Sequence, residues 1–160
     1  MHAYPLQSLI MLRTRRVDEA QRDLTLKREI VNRTKRELES KKQELVDYKN
    51  WKMVEINTRY DNLLGMVKTQ EEISKFNQGI AALNIKEFNL NEEISKLQKS
   101  LEKVQQDYDK ALIVVNTAQK ALAKLEKHKE IWQVQEKRYE EYLADQELDD
   151  FKVQKVQDFE

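Results

Sequence analysis

The chain has 160 residues, and its 29 Lys and Arg balance 29 Asp and Glu, so charged side chains make up 36% of it at zero formal net charge. Two glycines, one proline and no cysteine exclude disulfides and thiolate metal sites, and they place the chain with long helices rather than compact domains. The zero also conceals an asymmetry: residues 1–64 carry 14 basic and 10 acidic side chains, residues 129–160 carry 5 and 10.

Residues 1–5 hold the only proline, and Pro5 suits the first turn of a helix starting near Leu6. Leu9 to Leu12 is an apolar patch followed by Arg13, Arg15 and Arg16, the reverse of the basic-then-apolar order of a signal peptide. From there Ile10, Val17, Leu24, Val31, Leu38 and Leu45 recur every seventh residue. Their partners three residues on are Arg13, Ala20, Lys27, Thr34, Lys41 and Tyr48, so half of this first seam is polar. After Leu45 the phase slips by four, a stutter, before Ile56, Tyr60 and Leu63 resume the stripe.

The first helix is therefore expected over about residues 6–63 and a turn over 64–69. Gly65 stands where the seam ends, as a left-handed cap would, and Thr69-Gln70-Glu71-Glu72 has the form of a capping box. A second helix follows over about 70–145. From Ile73 to Leu125 its apolar residues alternate three- and four-residue steps through seven heptads, interrupted only by Glu87. Gly79 lies inside that seam and is a weak spot of about 1 kcal/mol relative to alanine.

These elements predict an all-α fold: one elongated domain, a long antiparallel two-helix coiled-coil hairpin with arms of roughly 85 Å. Facing residues should have numbers adding to about 133. Ile10 then meets the region of Ala123, Leu45 that of Phe88, Lys41 faces Glu92 and Glu93, and Lys27 faces Asp107. Residues 128–160 are expected to overhang uncovered, and 146–160 form an acidic tail expected to fray.

Catalytic chemistry has little foothold. His2 and His128 are the only histidines, no Gly-rich phosphate loop exists, and adjacent glutamates on a helix diverge by about 100° to face water. The reading is no enzyme, no cofactor and no metal. Acidic Asp18, Glu19 and Asp23 interleave with the basic start, which disfavours nucleic acid and suits a protein partner. No run approaches the roughly 20 apolar residues of a membrane span, and with no cysteine the expected location is cytoplasmic. Two aromatic groups are candidates for partner contact. Tyr48 and Trp51 sit beside the seam, where packing over Ala81 and Ala82 is the plainer reading. Trp132, Tyr139, Tyr142 and Leu143 lie in the expected overhang, where an apolar stripe signals a partner or self-association.

Tyr4-Pro5-Leu6, Leu9, Arg16-Val17-Asp18, Ala20 and Lys27-Arg28, leading into a charged hairpin that closes with His128-Lys129-Glu130 and Trp132, resemble the YscO/FliJ family of type III secretion and flagellar export. The likeness is greatest to its chlamydial-type members. The resemblance implies a non-enzymatic stalk like that of rotary ATPases, peripheral at the cytoplasmic face of the secretion apparatus. Its termini would enter the pore of the hexameric secretion ATPase and promote assembly and activity. Export-gate protein and secretion chaperones would be further partners. Carried onto this chain, the resemblance marks the Tyr4–Arg16 start (Tyr4, Leu6, Leu9, Arg13, Arg16) and the His128–Trp132 region as the ATPase-facing end. Tyr139 is a further apolar anchor there, and Tyr48 with Trp51 is a looser candidate for the gate. The alternatives are a structural coiled-coil dimer acting as spacer or tether, and an adaptor that binds chaperones through the overhang.

Overall fold

The computed structural model describes residues 2–65 and 69–159. Two helices, α1 (Gln7–Leu64) and α2 (Gln70–Gln157), account for nearly all of them, and no strand occurs among the described residues. They run antiparallel with their stripes facing, so the chain is an all-α helical hairpin. Its contacts group into two units, Met1–Leu24 with Ala111–Glu160, and Thr25–Lys110.

Burial follows the heptads. On α2 every seam position from Phe76 to Leu125 is buried or half-buried, Glu87 included, while Ile73 stays exposed. On α1 the same holds from Ile10 to Tyr48, polar positions included. Those polar residues enter a seam by two routes. Thr34 is buried because its hydroxyl donates to the Ile30 carbonyl at 2.9 Å and leaves nothing unsatisfied. Arg13, Lys27 and Lys41 are half-buried, as long side chains whose stems cover apolar surface while their heads reach out can be.

The register agrees with the expectation. Contacting residues have numbers adding to between 132 and 138 in the unit that holds the termini, as in Tyr4 with His128 and His2 with Glu136. In the other unit they add to between 131 and 139, as in Tyr48 with Leu83 and Lys52 with Glu87. Two particulars differ. Phe88 is exposed, leaving buried Leu90 to serve the seam opposite Leu45. Lys27 and Asp107 form no ion pair; the neighbouring Arg28 lies over the Tyr108 ring instead, 6.0 Å from its centroid.

Past Tyr48 the half-buried stripe on α1 runs through Lys52, Ile56, Arg59 and Leu63. Two successive four-residue steps are the stutter, and they turn Tyr60 to the flank, where its ring meets Phe76 edge-on at 6.1 Å. Arg59 takes the place expected for Tyr60. Its guanidinium lies across from Gly79, where an added Cβ would sit 3.0 Å from Nη1.

α1 ends at Leu64 and α2 starts at Gln70, as the spacing predicts, but the cap is not the expected one. Gly65 does not take a positive φ, so it is no left-handed cap. Residues 66–68 of the expected turn lie outside the described residues. The capping box does form: the Glu72 N–H donates to Thr69 Oγ1 and the Thr69 N–H donates to a Glu72 carboxylate oxygen, both at 3.2 Å. α2 also continues to Gln157 rather than ending near 145. Nothing stops it, since no glycine or proline follows Gly79, Gln146 donates to the Tyr142 hydroxyl one turn back at 2.7 Å, and Lys155 complements the carbonyl end.

Thermal or urea unfolding tests both ends of this account. Thr69→Ala is expected to cost about 1 kcal/mol through loss of the capping box. Gly79→Ala should gain up to about 1 kcal/mol, because the group it crowds is the mobile end of Arg59.

Candidate functional site

The unit that carries the termini is built on a clasp. Residues 2–4 precede α1 without helical structure, and the Gln7 N–H donates to the Tyr4 carbonyl at 3.2 Å, turning the chain into the first helical turn. Tyr4 is only 6% exposed and forms a core with Ile10 and Leu125, packed by Leu9, Leu122 and Trp132. Its ring meets Trp132 edge-on at 5.4 Å, and its hydroxyl is hydrogen-bonded with Nδ1 of His128 at 2.5 Å. His2 Nδ1 donates to Glu136 at 2.5 Å, and Lys129 Nζ donates to Gln7 Oε1 at 2.8 Å. Residues 128–136 are therefore not the uncovered overhang expected from the sequence. A non-helical segment covers them, and helical periodicity carries no signal for such a segment.

Five of the residues singled out from the sequence thus meet one another or the opposite helix. Tyr4, Leu9, His128 and Trp132 form the clasp, and Arg13 donates through Nη1 to the Ala121 carbonyl at 2.8 Å. Leu6, Arg16, Tyr139 and Tyr142 remain exposed in the same unit. Beside Arg13 and Arg16 lies a groove floored by Ala20, Ala118 and Ala121 and rimmed by Ile113 and Val114, which are 65% and 57% exposed. Sequence reasoning missed this groove. The signal was present, because Ala111 to Val115 is an apolar run of five whose seam positions are only the first and last, so the middle three must face outward.

In the other unit the two interruptions of the seams meet. Glu87, the one charged residue in the α2 seam, accepts from Lys52, which stands in the α1 stutter, at 2.5 Å, with Lys49 3.9 Å away. The Lys52 ammonium holds the Glu87 carboxyl below the ordinary 4.5. Lys41 pairs with Glu93 at 2.9 Å, as expected, and with Glu44 at 3.1 Å; these bonds raise its pKa above the ordinary 10.5. Tyr48 is buried, its hydroxyl donating to the Leu83 carbonyl at 2.7 Å, which makes it a packing residue. Trp51 leans on its ring at 5.7 Å and is half exposed.

Among the described residues no group of three or more His, Asp or Glu could hold a metal ion, and no helix is long and apolar enough to cross a membrane.

The family model described as type III secretion protein YscO matches residues 6–154. Among solved structures, a YscO homologue from Chlamydia trachomatis is similar over 94% of this chain and 93% of that one, at 22% identity and a TM-score of 0.77. Type III secretion protein YscO from Vibrio parahaemolyticus is similar over 89% and 91%, at 20% identity and a TM-score of 0.76. At such identities these two carry the fold alone. No curated protein matches the sequence.

Titration reads the polar lock directly. The lowered Glu87 contributes stability that is complete above its unfolded value near 4.5 and is lost as pH falls through its folded value. The raised Lys41 contributes stability that is complete below about 10.5 and is lost as pH rises through its folded value. Thermal midpoints should fall at both extremes, and Glu87→Gln should flatten the acid limb. The clasp has its own reporter: in a Trp51→Phe background, Tyr4→Ala should shift Trp132 emission to the red, whereas Tyr4→Phe, losing one hydrogen bond, should cost about 1 kcal/mol with little shift.

Proposed function

The chain belongs to the YscO family of type III secretion proteins, and from that premise we propose that it is a non-enzymatic stalk bound in the pore of the hexameric secretion ATPase. The end carrying the chain termini enters the ring and promotes its assembly and activity. Export-gate protein and secretion chaperones are the further partners, at the cytoplasmic face of the apparatus. The observation that carries this reading is the division of the terminal unit into a packed clasp and exposed contact residues. Tyr4 and Trp132 stiffen the end, while Leu6, Arg16, Tyr139 and Tyr142 face outward. A stiff hairpin with asymmetric charge contacts open and closed ring subunits differently, and such differential contact is what couples a stalk to a ring. Half-exposed Trp51 is the candidate for the gate, since Tyr48 is spent on packing.

Two alternatives fare differently. A spacer built as one straight helix has no use for the chain reversal between α1 and α2. A chaperone-binding adaptor is favoured by the exposure of Tyr139, Tyr142 and Leu143 on α2.

ATP hydrolysis by the purified secretion ATPase, with and without this chain, tests the proposal. Arg16→Glu should lower the stimulation by about threefold or more, since reversal of an exposed charge acts on encounter and affinity. Arg13 is unsuitable for this purpose because it packs on Ala121. Equal stimulation by wild type and Arg16→Glu removes the basic end from the mechanism. Loss of chaperone binding in Tyr139→Ser/Tyr142→Ser with ATPase stimulation intact selects the adaptor.

A further inference from the structure

Past Leu125 the three- and four-residue steps of α2 run on, first through Lys129, Trp132 and Glu136. These three are covered by the chain's own start. Trp132 packs on Tyr4, Lys129 donates to Gln7 Oε1 at 2.8 Å, and Glu136 accepts from His2 at 2.5 Å. The same steps then reach Tyr139, Leu143, Gln146, Asp150 and Val153, and all five are exposed. α2 stays helical to Gln157, so it holds a face there that continues the one α1 packs on, without α1.

That face carries charge of one sign. Its seam and flanking positions from Tyr139 to Gln157 hold Glu140, Glu147, Asp149 and Asp150 and no Lys or Arg; Lys152 and Lys155 fall on the opposite side of the helix. Glu140 is half-buried, whereas Glu147, Asp149 and Asp150 are exposed and make no hydrogen bond or ion pair among the described residues. Asp150 stands at the same heptad position as Glu87 and Glu136. Each of those two acids meets a nitrogen donor from across the seam, Lys52 for one and His2 for the other. Asp150 has no such counterpart.

The chemistry selects the occupant. A second copy of this end would bring like charges together, and the cations of the α1 seam, such as Arg13, are already turned onto α2. A purely apolar helix would cover Asp150 without pairing it. A helix with both an apolar stripe and cations meets every group on the face.

We propose that the Tyr139–Gln157 face of α2 receives a basic amphipathic helix from a partner protein. It lies antiparallel to α2, as α1 does, which also sets its positive N-terminal end beside the carbonyl end of α2. A length of about 19 residues, roughly 27 Å, fills the face. Apolar side chains of the partner rest on Tyr139, Leu143 and Val153, one Lys or Arg in its own seam meets Asp150, and further cations meet Glu147 and Asp149 on the two flanks. The segment from His2 to Leu6 bounds the site at Glu136. This contact needs no ATPase ring, so it stands or falls apart from the stalk.

A synthetic probe tests this: a helix of about 20 residues with leucine and isoleucine in its seam, one arginine in mid-seam and lysines on both flanks. It is labelled for fluorescence anisotropy and titrated with the full chain. Wild type should bind it saturably, one probe per chain. Glu147→Lys/Asp150→Lys should weaken binding about tenfold or more, whereas Glu141→Lys/Asp145→Lys, the same charge change on the opposite side of the helix, should cost about twofold at most. Leu143→Ser/Val153→Ser should abolish saturable binding and Leu148→Ser/Phe151→Ser should leave it. A probe with glutamate in place of its arginine should lose about tenfold on wild type and regain it on Asp150→Lys. All these positions are exposed, and unchanged helical circular dichroism will show that the variants fold. No binding, equal loss from the two pairs of charge reversals, indifference to Leu143→Ser/Val153→Ser, or sedimentation showing a second copy already seated on this face would overturn the proposal.

Discussion

Two long helices that pair through leucines can slide past one another by a heptad, because every seven residues the same apolar stripe returns. What fixes this hairpin is the meeting of the two places where its seams fail. Glu87 breaks the α2 stripe and Lys52 fills the stutter in α1; the structure brings them together at 2.5 Å. A slip by one heptad would set the half-buried Lys52 against Ile80 or Ile94 instead of Glu87. The α2 seam has no second charged position that could receive it, so the alignment is set by the cost of the alternatives rather than by the strength of the pair. Lys41 with Glu93 and the Tyr48 hydroxyl on the Leu83 carbonyl fall into the same alignment.

In the unit with the termini a different device does that work. α2 extends past the start of α1, and a bare continuation of its seam would expose Leu125, Trp132 and their neighbours. The segment from His2 to Leu6 covers that stretch without being a helix. Tyr4 supplies the bulk and satisfies its hydroxyl on His128, which is what a buried tyrosine requires. This leaves a packed end on which Arg16, Tyr139 and Tyr142 stay exposed beside aliphatic Leu6, Met11 and Ile131.

That division bears on secretion. A component that acts by contact needs a stiff support and a surface that is not used up by folding. The packing of Arg13 on Ala121 and the exposure of Arg16, two neighbouring arginines with different fates, show how closely those two demands are interleaved. The acidic side chains at the end of α2 and Arg15 and Arg16 at the start of α1 are exposed and not used up by folding.

The sequence alone determined the helical hairpin, the two arms and their register, because heptad spacing and a capping box are local and repetitive and Thr69 with Glu72 needs no distant partner. It also marked Lys41 for Glu93 through the pairing arithmetic. Tertiary structure decided what spacing does not encode: that Gly65 is not a left-handed cap, that Arg59 rather than Tyr60 holds the stripe, and that α2 continues to Gln157. It also decided the fate of Tyr4, Trp132 and His128. An extended segment has no period to read, and whether an aromatic residue near a chain end packs or stays exposed depends on which surface that segment reaches when the helices have closed.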